Sequence, residues 1–386
     1  MQAKPLSRLL FISSNALRQI LVSVFGMIIP FMVIRFSSKE IWGEFVSILL
    51  FTLIAIQIIN WGNKEYLLRK FSQEPNKIIF AFSKNIFTRL PLLLVFAVAG
   101  FFYFQLEYGI FIFLWLLGRY CIHSTEVLII YEKKFNTSLL IESLCFAAFY
   151  STILVFKSEI NIKLLIVLYS FYQLLKGVCY IILFKKFISL DCFKIDFSYY
   201  KSSIWFFLLS ILGFLASKID VYIIEQFGNK TNTSDYQIIN SLLVFTMSLS
   251  AFIYAPFTKN IYRNSKSVVQ KTQKIMTFAG LIIVPFSLFF IHLILKLYLN
   301  LNFQFWFYLI AFLYIYPSFL YGLEVVNLFK QLQEKKVVLF LLIGTIANTV
   351  LTLLFLHLNY GITGALFGSA IAQLIVLVLF KFKKNA

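Results

Sequence analysis

Residues 9–34 read LLFISSNALRQILVSVFGMIIPFMVI, an apolar run preceded by Lys4 and Arg8 and interrupted by charge only at Arg18. A helix needs about 20 apolar residues to cross the roughly 30 Å of bilayer hydrocarbon. This run exceeds that length and no small-residue cleavage site follows it, so it reads as a retained first span and not as an excised leader.

Working outward, the same pattern recurs along the whole chain. Splitting it at charged and turn-rich stretches predicts spans near 9–34, 44–63, 86–104, 110–131, 138–156 and 164–184. A second set follows near 203–227, 236–256, 275–298, 305–328, 337–357 and 361–380. Composition agrees: 60% of the 386 residues are hydrophobic and only 13% are charged, against about 25% charged in an ordinary soluble domain. Mean hydropathy is +0.86. The expected fold class is therefore an all-α polytopic membrane protein of about 12 transmembrane helices, with no sizeable soluble domain. The 47 Phe and 21 Tyr suit lipid contact and interfacial belts.

The formal net charge of +19 raises nucleic acid as a partner. The distribution excludes it, because the basic residues fall in short clusters between apolar runs and form no amphipathic stripe. With the N-terminus cytoplasmic, the predicted spans put 25 basic residues on the cytoplasmic side and 6 on the other, with Arg18, Arg119, Lys176 and Lys218 inside spans. That asymmetry fits the positive-inside rule and puts both termini in the cytoplasm.

The hydrophilic stretch 185–202 falls midway and divides the chain into an N-terminal lobe of six spans (1–184) and a C-terminal lobe of six (203–386). Both halves start from the same side, so an internal repeat would be parallel. Cys121, Cys145, Cys179 and Cys192 show no paired spacing and suggest neither a disulfide framework nor a metal site. No cofactor signature is present. Gly364, Gly368 and Ala372 make a small-residue stripe in the last span, and Pro30, Pro91, Pro285 and Pro317 mark kinks.

Charges inside a membrane are costly, about 2.5–3.5 kcal/mol on insertion scales, and normally face a cavity or a partner. Span one carries Asn15, Arg18 and Gln19. Span four carries Arg119, His123 and Glu126 on one helical face, and span six lines up Tyr169, Gln173, Lys176 and Tyr180. Span seven puts Lys218, Tyr222 and Glu225 on one face with Asp220 nearly opposite, and span ten adds Tyr321 and Glu324. Gathered around one cavity, Asn15, Arg18, Arg119, Lys176, Lys218 and Tyr222 would bind an anionic head group such as a pyrophosphate. Glu126, His123, Asp220, Glu225 and Glu324 are the candidates for coupling to an ion. The structural alternative pairs Arg119 with Glu126 and Lys218 with Glu225 within their own helices, and lets Arg18 and Lys176 snorkel to the interface.

Three stretches resemble one family. They are Ile41-Trp42-Gly43-Glu44-Phe45 with Trp61-Gly62; Ser217-Lys218-Ile219-Asp220 with Phe227-Gly228 and Tyr236; and Asn348 with Tyr360-Gly361-Ile362-Thr363-Gly364-Ala365. Together they resemble the polysaccharide transporters of the MOP exporter superfamily, specifically the O-antigen (Wzx-type) flippases. The resemblance implies a MATE-like pair of six-helix lobes and no enzymatic activity. It implies translocation of an undecaprenyl-pyrophosphate-linked oligosaccharide by alternating access, alongside membrane lipids and polysaccharide assembly proteins such as a polymerase or chain-length regulator. The rivals are a multidrug exporter of the same superfamily, which the acidic Asp220, Glu225 and Glu324 favour, and an O-antigen polymerase, which would want a long extracytoplasmic loop that this chain lacks.

Overall fold

A computed structural model describes residues 5–189, 193–254, 266–331 and 333–382, with side chains from 14 onward except 252, 254 and 266–269. Lys4, Cys192, Lys259, Arg263, Lys383, Lys384 and the end of predicted span eight lie outside the described residues, as do the side chains of Arg8 and Lys266.

All the regular secondary structure among the described residues is helical. The long helices are α1 (Pro5–Phe36), α2 (Lys39–Asn60), α4 (Ile78–Tyr103), α5 (Leu106–Tyr131), α6 (Phe135–Val155), α7 (Ile162–Leu183) and α9 (Ile204–Phe227). They continue with α10 (Lys230–Tyr254), α11 (Lys266–Tyr298), α12 (Phe305–Lys330), α13 (Glu334–His357) and α14 (Gly361–Phe382). These match the predicted spans one for one. Two shorter helices, α3 (Asn63–Gln73) and α8 (Ser198–Ser202), complete the set.

By length and composition, 11 of the long helices can cross a membrane, and the chain is a multi-pass membrane protein. The exception is α10, whose first turns carry Thr233, Ser234, Asp235, Gln237 and Asn240. All five are buried, so this helix turns polar groups toward the protein and not toward lipid.

Local signals explain several boundaries. Ser38 caps α2 by accepting from the Ile41 N–H at 3.3 Å, and Asn161 caps α7 by accepting from the Leu164 N–H at 2.9 Å. Helix α2 stops where Trp61 and Gly62 both take left-handed backbone, at φ 43° and 64°. A Cβ at Gly62 would also meet Phe206 backbone at 2.7 Å, so only glycine fits. The sequence alone does not predict this reversal, which starts α3 in a stretch that composition assigns to a loop. Pro30, Pro91, Pro285 and Pro317 all lie inside helices that continue past them.

The chain forms two compact units, Met1–Ile211 and Leu212–Ala386, divided within α9. In the first unit α5 and α7 pack backbone to backbone. A Cβ on Gly118 would sit 2.3 Å from the Gln173 carbonyl oxygen, and one on Gly177 would sit 2.7 Å from the Gly118 carbonyl oxygen. Close approach of this kind is how membrane helices associate where lipid is as apolar as the side chains. In the second unit the predicted small-residue stripe serves the same end, since a Cβ on Gly368 would meet the Thr352 nitrogen at 2.8 Å.

The stretch after α7 is fastened to the first unit. Ser83 donates to the Phe187 carbonyl at 3.0 Å and accepts the Ser189 N–H at 2.9 Å. The Asp196 N–H donates to Thr88 Oγ1 at 3.0 Å, and its carboxylate pairs with Lys84 at 2.8 Å. The Tyr200 hydroxyl donates to the Thr88 carbonyl at 2.7 Å. Trp61 then stacks on Phe207 with ring centroids 3.9 Å apart and donates through Nε1 to the Tyr200 carbonyl at 3.2 Å.

Candidate functional site

The glycine contact between α5 and α7 decides which polar groups meet in the first unit. It sets Arg119 of α5 near the helix carrying Tyr169, Tyr172, Gln173 and Lys176, while His123 and Glu126 on the same face meet α3. Arg119 is half-buried and makes no ion pair among the described residues. It acts electrostatically on His123, Tyr169, Tyr172 and Lys176. On α1, Arg18 is 8% exposed and its Nε is buried without an acceptor, within electrostatic reach of Lys64 and Tyr180. Asn15 sits one turn before, its Oδ1 accepting from Gln19 at 3.5 Å.

Both in-helix pairings expected from the sequence are corrected. Glu126 binds Lys64 of α3 at 3.0 Å and faces His123 Nδ1 at 3.7 Å, with no bond to Arg119. Glu225 pairs with Lys230 at 3.3 Å, and Lys218 donates instead to Asn240 Oδ1 at 2.6 Å. The reason is competition: Lys64 and Lys230 lie nearer to the two acids, and Asn240 takes Lys218.

Lys176 does not snorkel. It is buried against Glu142 of α6, Nζ to Oε2 at 2.5 Å, while Glu142 Oε1 accepts from the Tyr180 hydroxyl at 3.0 Å. Sequence reasoning missed Glu142, although an acid alone in the middle of an apolar span is signal enough to flag it. It missed Lys64 because that residue sits in a stretch that reads as a loop.

Arg89 reads from the sequence as a span-end residue. It lies well inside α4, 1% exposed, donating from Nε to Asn85 Oδ1 at 3.0 Å and from Nη2 to Ser124 Oγ at 2.8 Å.

The intramembrane cations of this unit thus fall into three sets, Arg89 with its neutral partners Asn85 and Ser124 being one. Lys64 and Lys176 are neutralised by Glu126 and Glu142. Arg18 and Arg119 are not, and Gln173 Oε1, Ser170 Oγ and His123 Nε2 are buried nearby on α7 and α5 without hydrogen-bond partners. Partly satisfied polar groups inside a membrane bundle are what a site awaiting a polar ligand looks like.

The second unit has a separate cluster on Asp220, which is fully buried. Its Oδ2 accepts from the Tyr236 hydroxyl at 2.5 Å and from Ser369 Oγ at 2.8 Å, and its Oδ1 accepts from the Val221 N–H at 2.9 Å. Asn240 Nδ2 stands 3.5 Å from both oxygens and donates to the Ser217 carbonyl at 3.1 Å. Asn240 therefore joins Lys218 and Asp220, although the two leave α9 in nearly opposite directions. Ser369 Oγ also lies 3.0 Å from Asn348 Oδ1, and Thr352 Oγ1 2.9 Å from the same atom. One hydroxyl proton cannot serve both Asp220 and Asn348, so the amide orientation decides which bond forms.

This donor set is one carboxylate with neutral oxygens, suited to a proton or a hard cation and not to a thiophilic metal. No group of three or more metal-ligating His, Cys, Asp or Glu occurs among the described residues. The remaining candidates stand apart: Tyr222 packs edge-on to Phe214 at 6.2 Å, and Glu324 is half-buried on α12 beyond Tyr321, whose hydroxyl donates to Gln373 at 2.9 Å.

No family model matches the chain, and no curated protein does. Solved structures do. The chain is similar to the MATE multidrug transporter DinF-BH at TM-score 0.68 and 13% identity, covering 99% of this chain and 96% of that one. It is similar to a MOP superfamily transporter from Pyrococcus furiosus, described by the reverse polarity of its binding pocket, at TM-score 0.64 and 13% identity over 97% and 95%. It is also similar to the lipid II flippase MurJ in an inward closed conformation, at TM-score 0.57 and 13% identity over 98% and 88%. The fold is that of the MATE and MOP transporters.

Proposed function

We propose that the chain is an O-antigen-type flippase. It carries an undecaprenyl-pyrophosphate-linked oligosaccharide across the bacterial inner membrane by alternating access of two six-span lobes, with both termini in the cytoplasm. The observation that carries this reading is the pair of guanidiniums, Arg18 and Arg119, that meet no carboxylate, in a unit where Lys64 and Lys176 are paired with Glu126 and Glu142 and Arg89 is held by the neutral Asn85 and Ser124. A guanidinium binds phosphate through two parallel hydrogen bonds, and burial strengthens the attraction. A pyrophosphate diester brings two negative charges, which two free guanidiniums balance. Tyr169 and Tyr172 beside Arg119 offer hydroxyls to sugars, their rings being packed against Phe149 and its neighbours. Asp220 is the group assigned to ion coupling, since a buried carboxylate held by hydroxyl and amide donors can exchange those donors for a cation or a proton.

The test is deletion of the gene in its host, followed by gel analysis of surface polysaccharide and of lipid-linked intermediates. The expected result is loss of surface glycan with single complete repeat units trapped on the cytoplasmic leaflet. Unpolymerised units on the outer leaflet would point to a polymerase instead.

A multidrug exporter is the second reading. It is favoured by the acidic Asp220 cluster and by the multidrug transporters that share the fold, and it predicts drug sensitivity with normal glycan in the deletion strain.

A further inference from the structure

The connection between α7 and α9 carries chemistry that the transport reading does not use. Because α7 ends at Leu183 and α9 begins at Ile204, the described segments 185–189 and 193–202 lie at the membrane face where both spans terminate. One side of this strap is consumed by α4, through Ser83, Lys84 and Thr88. The other side is not.

Residues 193–196 have no helical or turn structure and lead into Phe197, whose backbone is already helical at φ −64° and ψ −21°. Asp196 points at Lys84. Phe193, Ile195 and Phe197 are 67%, 40% and 75% exposed, with Phe193 packing on Phe87 of α4 at a centroid distance of 4.8 Å. Cations surround this apolar row: Lys185, Lys194 and Lys201 are all exposed and make no ion pair among the described residues. Large apolar residues interleaved with unpaired lysines at a membrane face complement an anionic lipid surface, with rings at the headgroup–acyl boundary and ammonium groups on phosphates.

We propose that the strap is a membrane-surface element in which Phe193, Ile195 and Phe197 enter the lipid while Lys185, Lys194 and Lys201 hold anionic phospholipid headgroups. The assignment is independent of what the protein transports. It gives the fastening of the strap a purpose, since the bonds from Ser83, Lys84 and Thr88 hold the segment in place with Phe193, Ile195 and Phe197 exposed.

The test uses the full chain with Cys121, Cys145, Cys179 and Cys192 replaced by serine, reconstituted in nanodiscs of zwitterionic and anionic phospholipid. A nitroxide is placed in turn at residues 193, 194, 195 and 197, and its collisions with oxygen and with a water-soluble nickel chelate are compared. Oxygen should dominate at 193, 195 and 197, and nickel at 194. Nickel dominating at all four overturns the proposal. Lipid retained by the detergent-purified chain is then identified by native mass spectrometry. Joint Lys185→Gln, Lys194→Gln and Lys201→Gln changes should lower anionic lipid several-fold relative to zwitterionic lipid, and the three arginine substitutions should keep it. Equal retention in the parent and glutamine chains overturns the headgroup half of the proposal.

Discussion

Lys176 on α7 and Glu142 on α6 form an ion pair 2.5 Å long with both side chains buried, and Tyr180 closes it from one turn below by donating to the same carboxylate. Neither partner has water to fall back on, so the pair behaves as one neutral object. Breaking it by removing one charge is more damaging than removing both.

Glu142→Gln should therefore lower the thermal unfolding midpoint in detergent markedly, the uncompensated lysine costing about 3–5 kcal/mol. The double change Glu142→Leu with Lys176→Met should recover most of that loss. Scanning fluorimetry on the purified variants decides it, and a double variant no better than the single one would contradict the pairing.

The α5–α7 contact leaves no room for a side chain. Gly118→Val and Gly177→Val should each force the helices apart, costing on the order of 1–3 kcal/mol or more. The monodisperse fraction on size exclusion reports this directly. Normal yield and elution from both variants would mean that the backbones are not in contact.

For the two free guanidiniums the prediction concerns charge and shape. Arg18→Gln with Arg119→Gln should abolish surface glycan display while leaving the protein folded. Arg119→Lys should restore it partly, because lysine keeps the charge and loses the two-pronged geometry. Wild-type glycan in the double glutamine strain would sink the anion-site reading.

Asp220→Asn retains the acceptor for Tyr236 and the shape of the side chain, so the fold should survive with a small change in unfolding midpoint. Transport should not survive. Tyr236→Phe removes one buried donor from the carboxylate and should cost about 1–3 kcal/mol of stability. Glycan display in the Asp220→Asn strain at the wild-type level would remove this residue from ion coupling.

The strap carries a pH signature. Hydrogen bonding to Lys84, and then to Ser198, holds the Asp196 carboxyl down from its ordinary 3.8 to about 2. A depressed acid contributes stability that is complete above 3.8 and is lost as pH falls through about 2. A nitroxide at residue 197 should keep its restricted spectrum down to about pH 4 and gain mobility only below about pH 3. Lys84→Met should mobilise it at neutral pH. A parent chain that loosens near pH ~6 would place the control elsewhere, since no carboxyl held down in this way titrates there.

Most of the fold is legible in the sequence because a bilayer imposes a length on every apolar run. The twelve spans can be read off without knowing what packs on what. Helix α10 shows the limit of that reading: its polar first turns, Thr233 to Asn240, make sense only once they are seen to be buried against protein. Helix α3 is hidden because nothing in the row of side chains announces that Trp61 and Gly62 will turn left-handed together.

The site is legible in kind and not in pairing. Intramembrane Arg18, Arg119, Lys176 and Asp220 stand out by their cost alone. Their partners do not, because Lys64 meets Glu126 and Asp220 meets Ser369 across long separations in sequence that periodicity cannot bridge. The pairing of Arg119 with Glu126 fails for the same reason: it looks along one helix for a neighbour that another helix supplies.

Gly118 and Gly177 hold α5 and α7 at a distance set by backbone alone, and the polar side chains on either side contribute nothing to that spacing. Unpaired charges displayed along the two helices, unlike the buried Lys176 of the Glu142 pair, can then be exchanged by selection or by design without loosening the joint beneath them. Altered cargo preference in this protein should accumulate at positions such as Arg119, and the two glycines should be the last residues to change.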